Sequence, residues 1–392
     1  MGNWRDLFPQ SVGLLPGRLS FVILPYIDSW QEAIEDVLKL RVDGLHPQWE
    51  FFRYIVEGDR EKVLSALERV QEEEVREFNR WVLTGECDLT LIYDPLLKAI
   101  VDGSELQSLK ETRGDLQALI HLISAGEKAK FNRGEAIKEI DQAILKVQSL
   151  SPLFHANLLL LKAKLLQEKG VSYPLLQLYM EIKKLVDSTQ AGYIKGDTAF
   201  QIGSILQSFG NHQEAVKYFQ EALNFISKEE DSYTWALAHN NLALSLLSQP
   251  AVTEEDQVRI AMGIQHLKKA LEVFTREEYP QEWASATLNY ANALVYAPTG
   301  EPLKNLLKAV ELYEEVLEFR KKHGPQDSLA RVLANLGNTQ AHLGRFKEAL
   351  KNLSEAQRLF LSMGLEEEAQ AVKELIEQIQ ESGGVVSGAS EP

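Results

Sequence analysis

Gly203–Ala222 reads GSILQSFGNHQEAVKYFQEA, and Gly337–Ala356 reads GNTQAHLGRFKEALKNLSEA. Gly203, Gly210, Ala215 and Ala222 of the first stretch recur as Gly337, Gly344, Ala349 and Ala356 of the second, at offsets of 7, 12 and 19 residues in both. Small residues at those offsets suit a helix–turn–helix whose two helices cross so closely that larger side chains would clash. Gly210 and Gly344 then end the first helix of each pair, where a left-handed backbone favours glycine. A unit that returns within one chain marks a stacked array of repeats. The pattern predicts an all-α protein, an α-α superhelix, and a binding surface rather than a reaction centre.

The first clear unit spans Gly196–Glu229 and the fourth Ala330–Met363. Two intermediate units fit with insertions. One carries Leu242, Ala243 and Leu246, then Gly263, Leu267 and Ala270; the other carries Tyr290, Ala291 and Leu294, then Ala309, Tyr313 and Val316. Their apolar positions recur at helical rather than strand spacing. Their turns are expected to be lengthened by Gln249–Gln257 and Ala297–Leu303, where Pro250, Pro298 and Pro302 cannot continue a helix.

These residues resemble the tetratricopeptide repeat (TPR) family, whose period of about 34 residues they share. His239-Asn240-Asn241-Leu242-Ala243, Ala270-Leu271-Glu272-Val273-Phe274 and Trp283-Ala284 look most like the arrays of kinesin light chains and of bacterial proteins that carry a caspase-like (CHAT) protease domain after their repeats. The resemblance covers Gly196–Gly364, under half of the chain. The family's tryptophan position is not kept, being held by Ala199, His239, Thr287 and Leu333. The resemblance implies a TPR solenoid whose first helices line a concave groove.

The array is expected over residues 196–364, followed by a capping helix at 365–381, with Ala369, Val372, Leu375 and Ile376 on one face, and a disordered Gly/Ser-rich tail at 382–392. Residues 111–195 read as degenerate helical repeats, and residues 28–110 as an N-terminal helical module of no recognised family. Residues 1–27, with Pro9, Pro16 and Pro25, read as an extended segment. Within the module, Glu50-Phe51-x-Arg53-Tyr54-Ile55-x-x-Gly58-Asp59 is echoed 27 residues later by Glu77-Phe78-x-Arg80-Trp81-Val82-x-x-Gly85-Glu86. Each copy reads as a helix stopped by glycine. Its aromatics either pack inward in a bundle or serve, with the arginines, as a docking module.

Bulk chemistry narrows the function. The chain has 392 residues, 45% of them hydrophobic, and a formal net charge of −16, which disfavours a general nucleic-acid or anionic-membrane binder. One cysteine, Cys87, excludes an internal disulfide and suggests a reducing compartment. No secretory signal, myristoylation motif or apolar run of membrane-spanning length stands out. The expected location is cytoplasmic. The eight histidines show no metal-ligand spacing, and there is no phosphate-binding loop or nucleophile elbow, so no cofactor, metal or catalytic residue is expected. Cys87 sits beside Glu86, an acidic setting that raises a thiol pKa.

If the repeat register holds, the sixth residue of each first helix faces the groove: Gln201, Asn241, Asn289 and Asn335. One turn on lie Ser204, Leu244, Asn292 and Asn338, with Arg331 at the edge. An asparagine amide donates and accepts, so a column of them could grip a peptide main chain without strict sequence choice. In the peptide-binding arrays that this chain resembles, asparagine at this position has that role, which the resemblance implies for Asn241, Asn289 and Asn335. The opposing reading is that the amides satisfy one another or the backbone within the stack. The two lysines of carboxylate-clamp relatives are missing: Asp197, Leu237, Ser285 and Arg331 hold the corresponding positions. The candidate partner-binding residues are therefore Gln201, Asn241, Asn289, Asn292, Arg331, Asn335 and Asn338. The leading expectation is a non-enzymatic adaptor for a protein or peptide partner. The alternatives are a peptide-responsive regulator with the N-terminal module as effector, or a companion of a caspase-like protease. Nothing in the sequence fixes the oligomeric state.

Overall fold

A computed structural model describes residues 22–103, 114–147, 152–168, 170–249, 253–297 and 301–387. Eighteen α-helices and two short 3-10 turns account for the regular structure of these residues, and no β-strand occurs among them. The chain divides into two compact units, Met1–Ile205 and Leu206–Pro392. The division falls inside the helix Gly192–Ser208.

The first unit opens with α1 (Trp30–Leu38), α2 (Glu50–Glu57), α3 (Arg60–Leu67), α4 (Glu73–Thr84) and α5 (Pro95–Asp102). Their boundaries follow local chemistry. Asp59 accepts a hydrogen bond from Lys62 N at the start of α3, and Asp94 accepts from Leu96 N and Leu97 N ahead of Pro95. Gly58, Gly85 and Gly103 close α2, α4 and α5 in the left-handed region. Phe51 and Phe78, equivalent residues of the 27-residue echo, are fully buried with Trp49 and Leu67 in one core. Trp81 is buried there as well, while Tyr54 is only half-buried.

Residues 22–27 are not helical, yet Val22, Ile23, Leu24 and Ile27 are buried in the same core. The fully buried Asn79 of α4 holds them. It accepts from Ile23 N at 2.8 Å and donates to Ile23 O at 2.7 Å, supplying the pair that a neighbouring strand would offer. Trp49 Nε1 donates to Pro25 O at 2.8 Å. The remainder of the expected extended segment, residues 1–21, lies outside the described residues.

Two helix pairs follow: α6 (Gly114–Ala129) with α7 (Arg133–Lys146), and α8 (Pro152–Gln167) with α9 (Tyr173–Val186); then comes α10 (Gly192–Ser208). Ala118, Ala125, Ile140, Ala143, Phe154 and Leu158 form the core shared by α6, α7 and α8.

The second unit continues with α11 (His212–Ala222), α12 (Ser232–Leu247), α13 (Glu254–Leu271), α14 (Pro280–Val295), α15 (Pro302–His323), α16 (Gln326–His342), α17 (Phe346–Ser362) and α18 (Glu366–Ser387). Each helix packs on the next, and the first helices α12, α14 and α16 also touch in succession. Gly210, Gly344 and Gly364 have φ of 75°, 72° and 72°, as residues that end helices do. Gly337 shows why the repeat needs a small residue. A Cβ there would stand 2.8 Å from Leu353 Cγ and 3.1 Å from the Ala349 carbonyl oxygen of α17. In the α12–α13 pair the small residue is on the second helix: a Cβ at Gly263 would stand 2.9 Å from Leu247 Cγ.

Two boundaries differ from expectation. The lengthened turn after α12 is shorter than Gln249–Gln257, because Thr253 and Asp256 form a capping box that starts α13 at Glu254. The second helices have 11 residues in α11, 18 in α13, 22 in α15 and 17 in α17, so only α15 stands clearly longer than both helices without an insertion. At the other end, α18 is helical to Ser387, past the expected cap end at 381, and residues 388–392 lie outside the described residues.

Candidate functional site

The amides of α12, α14 and α16 are half-buried and largely bonded to one another. Asn289 Nδ2 of α14 donates to Asn240 Oδ1 of α12 at 3.4 Å, and Asn240 Nδ2 donates to Asn241 Oδ1 at 3.2 Å. Asn335 Nδ2 of α16 donates to Asn292 Oδ1 of α14 at 2.8 Å. The same oxygen accepts from the buried Tyr313 hydroxyl of α15 at 2.6 Å. Gln207 Nε2 reaches Asn241 O and Ser245 Oγ of α12, both at 2.9 Å. Asn352 Nδ2 donates to Gln340 Oε1 at 2.8 Å between α16 and α17.

The structure thus joins Asn241 to Asn289 through Asn240, and Asn292 to Asn335 directly. Gln201 belongs to the first unit, where Gln167 donates to it at 3.1 Å and it donates to Asp197 at 3.4 Å. Asn338 is half-buried one turn beyond Asn335 on α16. Arg331 pairs with Glu368 of α18 at 3.2 Å, with its side chain half-exposed. An amide oxygen takes two hydrogen bonds, so Asn292 Oδ1 is full. Asn289 and Asn335 each spend one donor on a neighbouring helix in these bonds and retain capacity for a bound main chain.

Sequence reasoning missed three partners of this network. Asn240 turns one position away from Asn241, which swings it towards the neighbouring first helix. Tyr313 reads as filler, although its ring is buried and only its hydroxyl is polar. Gln207 lies on α10, one turn beyond Ser204.

Two buried polar features lie nearby. His239 of α12 and His266 of α13 meet Nδ1 to Nδ1 at 2.7 Å, with rings 4.9 Å apart and nearly parallel; Trp235 stacks edge-on against His239. One ring must donate and the other accept, so at most one Nδ1 carries a proton. Burial, reinforced by His266 and Lys269, holds the His239 pKa down to about 3. Arg320 of α15 is 7% exposed, and no carboxylate pairs with it among the described residues. It donates instead to Gln281 Oε1 at 2.6 Å and Ser285 Oγ at 3.0 Å, on the first turns of α14. Burial lowers its pKa, with Asp327 opposing.

The single thiol is poorly suited to chemistry. Cys87 is half-buried, and burial, Glu77 and Asp88 all raise its pKa. No group of three or more His, Cys, Asp or Glu side chains converges as a metal site among the described residues. Nor is any helix among them long and apolar enough to cross a membrane.

Comparison with known proteins agrees with this architecture. Tetratricopeptide repeat families match residues 301–362 and 197–228. No curated protein matches the chain in sequence. Among solved structures, a signal transduction ATPase with numerous domains and a tetratricopeptide repeat sensor, from Pyrococcus horikoshii, is 15% identical. That match covers 87% of this chain and 50% of the other, with a TM-score of 0.50. BtubC (BKLC) from P. vanneervenii is 17% identical over 63% of this chain and 92% of its own, with a TM-score of 0.43. A Rap protein complexed with Competence and Sporulation Factor is 14% identical over 89% of this chain and 98% of its own, with a TM-score of 0.42. At such identities the likeness concerns the fold alone.

Proposed function

We propose that this tetratricopeptide-repeat protein, a protein-interaction scaffold, is a non-enzymatic adaptor that holds an extended segment of a partner along its first helices. The observation that carries the reading is the row of half-buried amides on α12, α14 and α16, at equivalent positions of successive units. Asparagine is unfavourable in a helix interior, so a run of it needs compensation. The lateral bonds supply part of that compensation and also fix the orientation of each amide. A pre-oriented amide loses little freedom when it takes up a peptide N–H and C=O. Asn241, Asn289, Asn335 and Asn338 are the residues assigned to the segment's main chain. Asn292 positions Asn335, and Arg331 contributes to an edge.

The test is affinity capture from the source cells with wild-type chain and with Asn241→Ala, Asn289→Ala and Asn335→Ala combined. Proteins lost by the variant, while its circular dichroism spectrum stays that of the wild-type chain, support the reading. An identical set of partners at equal recovery refutes the assignment of the amides.

A further inference from the structure

The 27-residue echo of the first unit has a consequence beyond its buried aromatics. Between α2, α3 and α4 lies an open cavity of about 390 Å³, within the size range of sites that take a single large side chain or a small ligand. Both copies of the motif contribute to its wall: Tyr54 and Ile55 from the first, Leu83 and Thr84 from the end of the second. Val63 and Leu64 of α3 complete its apolar lining. Leu64, in this wall, is 43% exposed. The space above Gly58, at the end of the first copy, is open, with nothing within 4 Å of where a Cβ would lie.

The charges around this cavity are unequally answered. Arg53 pairs with Glu57 at 2.7 Å and Lys62 with Asp59 at 2.7 Å, and both cations lie over the Tyr54 ring. Arg60 is the one charged residue in the wall, and no carboxylate pairs with it among the described residues. An apolar pocket with one unanswered guanidinium at its rim is complementary to an apolar side chain next to a carboxylate.

We propose that this cavity is a second docking site, distinct from the amide row, for a partner protein segment that inserts one bulky aliphatic or aromatic side chain and sets an Asp or Glu against Arg60. Tyr54, Ile55, Val63 and Leu83 receive the apolar side chain, and Leu64 covers it. The proposal does not rest on the amide assignment, because the two sets of residues share no member.

The probe is a library of short random peptides displayed on phage and panned on the intact chain. Binding of the selected peptides is then measured by fluorescence polarisation. The expected peptides carry a large apolar residue beside Asp or Glu. Their affinity falls about tenfold or more for Leu64→Asp, in keeping with loss of an anchor contact. Arg60→Glu weakens them as well, and exchanging the peptide's acidic residue for lysine recovers binding to that variant. The combined alanine variant of Asn241, Asn289 and Asn335 binds them like wild type. Both Leu64 and Arg60 are exposed, so circular dichroism should be unchanged in either variant. The proposal is overturned if no peptide is selected, or if selected peptides bind Leu64→Asp and Arg60→Glu as tightly as wild type. It is also overturned if the chain self-associates and Leu64→Asp alone abolishes that association, which would make a second copy the occupant.

Discussion

A single methyl group on Gly337 tests the close crossing on which the repeat depends. Two effects oppose one another in Gly337→Ala. Alanine in place of glycine inside a helix is worth about 1 kcal/mol of stability. Against this, the new Cβ would stand 2.8 Å from Leu353 Cγ, 3.1 Å from Leu353 Cδ2 and 3.1 Å from the Ala349 carbonyl oxygen. Leu353 is fully buried, and the Ala349 oxygen belongs to the α17 backbone, so relief requires α16 and α17 to separate. Overpacking of this kind costs roughly 1–3 kcal/mol, leaving a net loss between nothing and about 2 kcal/mol. Gly126, exposed within α6, is the control: nothing lies within 4 Å of its Cβ position. Gly126→Ala should stabilise its helix by about 0.5–1 kcal/mol. The difference between the two substitutions isolates the steric cost, about 1–3 kcal/mol. A stacked chain opens in parts, so the measurement should be local: amide hydrogen exchange of peptides from α6–α7 and α16–α17, read by mass spectrometry. Exchange should slow around Gly126→Ala and quicken around Gly337→Ala. Adding Leu353→Ala to Gly337→Ala should cost less than the sum of the single changes, because the second removes the clash made by the first. Slower exchange of α16–α17 in Gly337→Ala, comparable to the control, would refute the steric account.

The histidine pair should make the second unit sensitive to acid. His239 is neutral in the fold and its pKa is held to about 3, whereas the unfolded residue titrates near the ordinary value of 6.5. Between those values the unfolded state binds more protons, so stability is lost as pH falls from about 6.5 towards about 3, by at most ~1.4 kcal/mol per pH unit. Urea denaturation between those limits should show a shallower pH slope for the His239→Phe, His266→Phe double variant than for wild type; equal slopes would contradict the pairing. Arg320→Met should leave stability unchanged or raise it by up to ~2 kcal/mol, since a buried cation with only neutral partners is costly and the exposed Gln281 and Ser285 can bond to water instead. A loss above about 2 kcal/mol in chemical denaturation would show that the guanidinium is a net anchor. Tyr313→Phe should cost about 1 kcal/mol through the lost bond to Asn292, measured by the same denaturation, and hydrogen exchange at α14 and α16 should quicken together.

The pattern of small residues made the helix pairs legible because backbone proximity tolerates few side chains. Gly210 and Gly344 mark helix ends for the same reason, since a left-handed residue is nearly always glycine. Helix beginnings were less visible after α12, where Thr253 and Asp256 start α13 within what composition reads as loop. Proline likewise reads as an interruption, yet Pro302 occupies the first position of α15. The candidate site was legible only as a column of residue types. Periodicity places Asn289 and Asn335 on a face, but it does not say that their donors reach Asn240 and Asn292 on the preceding first helix. Those bonds depend on the distance and rotation between helices, which no single helix encodes. Asn79 was invisible for a related reason: its partner is a non-helical stretch 56 residues away.

The side-chain bonds that tie α12 to α14 and α14 to α16 also bear on elasticity. An amide–amide contact can be exchanged for two contacts with water at little enthalpic loss, whereas withdrawing a buried leucine forfeits about 1.5–3 kcal/mol. Tension or bending applied to the second unit should therefore open the amide links first and leave the hydrocarbon between paired helices closed. Such links can re-form in a shifted position, so the row behaves as a set of teeth that slips under load without unravelling.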